Sequence, residues 1–282
     1  MRNIIKKFVK PPLEKVGIYK HIYRFYFYIL NIKTRIKNRI IKNLGRSAPV
    51  LLYHRISEVS DDPLMLCVTP NTFENHLIFL NKNYKVIPLL ELSMRIKNNT
   101  LSGNEVSLTF DDGYKDNLDN ALPLLEKYNT PATIFIATSL LGKKASYKWD
   151  LKYKETDRAT FLSREEIKKI SKHRLIEIGG HTHTHRRLSD LDFEEQRKEI
   201  LRNKEILENI TEDKIRLFAY PFGGKLDFNN DSKKILRKLK FSFAYSNTGL
   251  LADQNSSTLS IPRINIREIS KDELAKKILT KH

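Results

Sequence analysis

From Ala48 onward, short apolar runs take turns with amphipathic stretches, and no other feature limits the possible fold as tightly. The strand-like runs are 49–54, 84–87, 106–110, 132–137, 175–179, 215–219, 242–246 and 260–266; the helix-like stretches are 71–82, 89–98, 117–128, 163–172, 192–210, 231–240 and 270–280. Strands separated by helices are joined by crossovers, which makes them parallel, and such a sheet is expected to close into a barrel. Ser163 with Glu166 and Ser270 with Glu273 have capping-box spacing and mark two helix starts. At 282 residues and 40% hydrophobic, the chain can bury one large α/β core, so one domain is expected over 48–282.

Chemistry concentrates where strand-like runs end. Val106 to Phe110 leads into Asp111-Asp112-Gly113-Tyr114, and Leu175 to Gly179 leads into His181-Thr182-His183-Thr184-His185. A divalent metal that keeps a catalytic water needs three protein ligands and an open position, and one carboxylate with two imidazoles is a common set. Asp112, His181 and His185 fit it. Neighbouring side chains on a strand alternate faces, so Asp111 is free to take a proton from water while Asp112 binds metal. A third segment, Ala219-Tyr220-Pro221-Phe222-Gly223-Gly224, also follows a strand-like run and could bring backbone N–H groups to the metal.

With these motifs in this order, residues 48 to 268 resemble the polysaccharide deacetylases, carbohydrate esterase family 4, also called the NodB-homology domain. Thr109-Phe110-Asp111-Asp112-Gly113 matches the first motif, His181-Thr182-x-x-His185 the second, and Pro221-Phe222 the end of the third, Arg-x-Pro-(Tyr/Phe). The resemblance implies a distorted (β/α)7 barrel, a base at Asp111 and metal ligands at Asp112, His181 and His185. The chain also departs from the family. The third-motif Arg is Ala219, which leaves Arg263 as the candidate to orient Asp111. The C-terminal Leu-x-His is missing, and Leu52-Tyr53-His54 stands at the other end, as in the rearranged branch that includes the biofilm poly-N-acetylglucosamine deacetylases. His54 is then the expected acid for the leaving amine, or else part of a buried polar cluster.

The implied reaction is metal-assisted hydrolysis of an N-acetyl group on a hexosamine, in a polysaccharide or a lipid-linked precursor. Asp111 acts as base, His54 as acid, and the backbone N–H of Phe222 helps hold the oxyanion. Zinc is the default metal, and cobalt, nickel or manganese could take the same ligands. Tyr220, Phe222 and Trp149 are the candidate substrate-binding residues. Trp149 lies in a connection of about 25 residues after the run at 132–137, longer than most βα loops. It either walls the sugar pocket or pins its own loop. A de-N-formylase or O-acetyl esterase would use the same site, whereas a non-catalytic glycan-binding module would tolerate loss of Asp111, which is present.

Charge is uneven. Residues 1–47 carry eight Lys and five Arg against the single acid Glu14, a net +12 of the chain's +18. Tyr19, Tyr23, Phe25, Tyr26, Tyr28, Ile32, Ile36 and Ile40 interleave with those charges, which predicts a basic amphipathic helical segment before the catalytic domain. Its longest uncharged run, Phe25 to Ile32, has eight residues, well short of the roughly 20 that cross a bilayer, and no small-residue cleavage site follows it. An interfacial helix on an anionic membrane surface is expected, or a helix packed on the domain. The implied location is cytoplasmic, peripheral on the inner face of the cell membrane, beside glycans carried on polyprenyl phosphate. No recognised nucleic-acid motif accompanies the charge, so no nucleic-acid partner is expected. The lone cysteine, Cys67, excludes an intrachain disulfide.

Overall fold

The structure, a computed structural model, describes residues 46–279 apart from Ser146 and Lys148. The expected N-terminal helix lies outside the described residues. Ser47–His282 forms one compact unit.

Nine short strands form a single parallel sheet, eight of them on its main path, β1 Val50–Tyr53, β2 Glu105–Phe110, β3 Ala132–Ile136, β4 Ile176–Gly180, β5 Leu217–Ala219, β6 Phe243–Ser246, β7 Ile261–Pro262 and β8 Ile264–Asn265, while Lys85–Val86 pairs with β2 off that path. The order along the path is β7-β6-β5-β4-β3-β2-β1-β8. The two edge strands are consecutive in sequence and separated by Arg263 alone. Tyr245 of β6 pairs with Ile261, and Leu51 of β1 pairs with Ile264, so one interrupted stretch joins both edges and completes a seven-membered ring. The run at 260–266 was expected to be one strand; serving two neighbours splits it at Arg263.

Period-two alternation sorts the strand residues. Leu51, Tyr53, Val106, Leu108, Phe110, Ile134 and Ile136 pack outward beneath the helices. Val50, Phe135, Leu217, Ala219, Phe243, Tyr245 and Ile261 form a second cluster in the barrel lumen. Helix α2 (Leu89–Lys97) contributes Leu89, Leu92 and Ile96 to that cluster, and Ser93 meets the Tyr245 hydroxyl at 2.6 Å. Alternation also gives β2 a polar column, in which the Ser107 hydroxyl donates to Ile87 O, the Thr109 hydroxyl donates to Leu51 O, and Asp111 stands above them. The lumen is thus filled below and polar above.

The remaining helices are α1 (Pro70–Asn83), α3 (Leu122–Lys127), α4 (Arg164–Ser171), α5 (Phe193–Thr211), α6 (Asn230–Lys238) and α7 (Lys271–Leu279). Ser163 and Glu166 complete the expected capping box of α4, and Asp192 with Glu195 completes one on α5. The helix expected at 117–128 begins as a π-turn, Asn117–Ala121. Pro123 lacks the N–H that would reach back to Asp119, which removes one rung of a regular ladder there. Pairings that the pattern did not foreshadow join Ser47–Ala48 to Ala252–Asp253 and Arg55–Ile56 to Cys67–Val68.

Candidate active site

The ends of β1, β2, β4 and β5 deliver His54, Asp111, His181 and the Tyr220–Gly224 segment to one end of the barrel. Asp111 continues the inward column of β2 and meets Arg263, which enters the lumen from the seam. Arg263 is 0% exposed and grips both carboxylate oxygens at 2.7 Å. The same guanidinium donates to the Thr109 hydroxyl at 3.2 Å and to Ser246 O at 3.4 Å. Burial opposes charge on Asp111, but Arg263 and His181 hold its carboxyl below the usual range. Removing one partner from a buried pair of this kind costs about 3–5 kcal/mol, so the fork fixes both the orientation and the ionisation of Asp111.

Alternation alone would send Asp112 away from Asp111. A positive φ of 73° at Asp112 turns the chain back and brings its carboxylate to the histidines. Asp112, His181 and His185 are buried, with ligand atoms within 4.8 Å of one another. Asp112 Oδ1 lies 3.1 Å from His185 Nε2 and 3.5 Å from His181 Nε2, yet it has no hydrogen-bond partner. Three donor atoms that converge without bonding to each other suit an ion between them. A carbonyl can only accept, so His181 Nδ1 donates to Ala219 O at 2.8 Å, which leaves the Nε2 lone pair facing Asp112. One carboxylate and two imidazoles are a donor set for zinc and its divalent neighbours. Burial works against charge here too, but His185 and His181 hold Asp112 well below the carboxylate range, and Asp111 and Asp112 lift His181 above its ordinary value.

His54 is half-buried, and its backbone carbonyl accepts from Asn117 Nδ2 at 2.8 Å. Burial depresses its imidazole, with Asp112 and Asp111 offsetting part of the effect, so it senses both carboxylates. Phe222 is 44% exposed, has φ 62°, and sets its ring edge-on to His185 at 5.1 Å. Trp149 lies 4.9 Å from the His185 ring, 6.0 Å from Phe222, and stacks on Tyr147 at 4.5 Å. It therefore faces the site and pins its loop at once. Asp150 fixes that loop, accepting from the Tyr114 hydroxyl at 2.9 Å and from Tyr147 N at 3.0 Å.

Tyr220 is a correction. The expectation placed it against substrate, but its ring is buried, stacks on Phe228 at 3.8 Å, and donates its hydroxyl to Leu259 O at 2.9 Å. Adjacent residues leave β5 on opposite sides, and Tyr220 takes the core side. Sequence reasoning also missed Asn203, Glu199 and Tyr114. The signal available for Asn203 was a polar residue inside the buried α5 stripe of Gln196, Ile200, Leu207 and Ile210.

A buried Asp–His–His cluster beside a locked carboxylate, at the strand ends of a parallel barrel, is the layout of a metal-dependent hydrolase. The chain belongs to the polysaccharide deacetylase family, whose model matches residues 98–244. It is 27% identical over 220 residues to YxkH of Bacillus subtilis strain 168, a protein named for this family, covering 77% of this chain and 71% of that one. It is 25% identical over 258 residues to the poly-beta-1,6-N-acetyl-D-glucosamine N-deacetylase of Staphylococcus aureus strain MRSA252, covering 84% of each. The solved structure of the Streptococcus pyogenes deacetylase PplD in complex with acetate superposes with a TM-score of 0.70 at 25% identity, covering 83% of this chain and 99% of that one.

Proposed function

We propose that the chain is a carbohydrate N-deacetylase that releases acetate from N-acetylhexosamine units of a glycan, with Asp111 as its base. The observation that carries this reading is the Arg263 fork, which keeps Asp111 ionised and aimed beside the Asp112–His181–His185 cluster. A divalent ion held by Asp112, His181 and His185, zinc by default, would polarise the acetyl carbonyl and acidify a water. Asp111 accepts the proton of the attacking water as the water oxygen bonds to the carbonyl carbon. The Phe222 N–H supports the developing oxyanion. His54 then donates a proton to the sugar nitrogen as the C–N bond breaks. Trp149 and Phe222, edge-on to each other and both against His185, form an apolar wall against which a sugar ring can lie.

The relatives named for poly-N-acetylglucosamine support a polymer of that type as substrate. The +12 charge of residues 1–47 suits a peripheral location on the anionic inner face of the cell membrane, where a glycan carried on polyprenyl phosphate would be within reach. Among the described residues, no helix is long and apolar enough to cross a membrane. The test is acetate release by the purified protein from N-acetylglucosamine oligomers, before and after chelation and on adding back Zn²⁺, Co²⁺, Ni²⁺ or Mn²⁺. Loss on chelation and recovery with one of these ions is expected. Turnover indifferent to chelation, or release of formate or of ester-bound acetate in its place, would overturn the reading.

A further inference from the structure

The metal-binding loop has an unusual backbone and a dedicated support. Thr182 and His185 both lie in the left-handed region, with φ 60° and 58°. A β-branched residue does not hold that conformation unless its surroundings impose it. Two residues of α5, one helical turn apart, supply those surroundings. Asn203 is 0% exposed; its amide donates to Thr182 O at 2.6 Å and to Ile136 O at 2.8 Å, and its Oδ1 accepts from His181 N at 3.2 Å. Glu199 accepts from Thr184 N at 2.8 Å and from the Thr184 hydroxyl at 2.7 Å, while its backbone carbonyl accepts from His183 N at 3.1 Å. Between them they hold every residue of the loop from His181 to Thr184. The loop closes on itself where His185 N donates to the Thr182 hydroxyl at 3.1 Å. Gly180 leaves room for the arrangement, since a Cβ there would stand 2.6 Å from Asn203 Oδ1.

We infer that Glu199 and Asn203 are positioning residues for the metal, a two-point clamp on α5 that sets the directions of the His181 and His185 lone pairs. Neither bonds to the side chains of Asp112, His181 or His185; Asn203 acts through the backbone of His181 and Thr182, and Glu199 through Thr184 and the backbone of His183. Groups that orient metal ligands typically govern affinity by 10–100-fold. The inference rests on the metal reading above, and the experiment separates the two. The full-length protein is stripped with a chelator and titrated with Co²⁺ against a chromophoric chelator, and the melting temperature of each apoprotein is measured. Glu199→Ala and Asn203→Asp should bind Co²⁺ about 10–100-fold more weakly. Glu199→Gln, which keeps an acceptor for Thr184, should bind nearly as wild type, and the Glu199→Ala apoprotein should melt with wild type. Asn203→Asp places a charge among carbonyls and can fail to fold, so the Glu199 pair carries the test. Wild-type affinity in Glu199→Ala, or a loss that merely tracks a lower apo melting temperature, overturns the clamp. A wild-type protein that takes up no Co²⁺ overturns the metal reading itself.

Discussion

Asp111 and Asp112 are neighbours with the same side chain, and their partners give them different chemistry. Arg263 occupies both oxygens of Asp111, while Asp112 keeps Oδ1 free among imidazoles. The spacing of the Asp and His motifs made the cluster legible in the sequence, and the absence of the usual Arg at Ala219 directed attention to Arg263. The positive φ at Asp112 was not legible, because a non-glycine residue gives little sign that tertiary contacts will force that conformation. Tyr220 was misplaced because one residue of alternation separates a core side chain from a pocket side chain. His54 carries the residue-scale expectation. His54→Ala should hold metal as wild type and turn over about 10²–10⁴-fold more slowly. Since burial depresses this imidazole, the alkaline limb of the wild-type pH–rate profile should fall below the ordinary histidine value of about 6.5. The variant should lack that limb. An unchanged profile in His54→Ala would assign the acid elsewhere.

Most strands and helices are where their hydrophobic periods put them, since a two- or 3.6-residue period is a local property. The exceptions have non-local causes. The run at 260–266 divides because it must pair with both β6 and β1, and the start of the 117–128 helix widens upstream of Pro123. Helix α1 shows how an element reports its packing through pH. His76 is buried; its Nε2 donates to Ile269 O at 2.8 Å, which makes Nδ1 the acceptor for the Tyr53 hydroxyl at 3.1 Å. Burial lowers its pKa, with Ile269 O and Glu268 offsetting part of the shift. The folded value lies below the unfolded one, so the stabilisation is whole above about pH 6.5 and is lost as pH falls from there toward the folded pKa. A His76→Gln protein should therefore lose less melting temperature than wild type between about pH 7 and 5. Equal losses would remove His76 as the cause.

At the scale of the molecule, parallel pairing and closure followed from the order of elements and the seven-fold form from the family resemblance, but the seam followed from neither. Two half-strands meeting at a buried arginine leave no trace in a hydrophobic pattern, and that seam brings Arg263 to Asp111. The basic segment before the barrel has its own test. Deleting residues 1–44 should release the protein from anionic liposomes, each basic residue contributing up to about 1 kcal/mol, while acetate release from a soluble oligomer stays near wild type. Equal liposome binding by the truncated and full-length proteins would remove the membrane role.

The division of labour between the two aspartates is tested most directly by measuring bound metal and acetate release on the same preparations of Asp111→Asn and Asp112→Ala. Asp111→Asn should retain its metal and lose turnover, and Asp112→Ala should lose both. Full metal occupancy in Asp112→Ala, or wild-type acetate release from Asp111→Asn, would contradict the assignment.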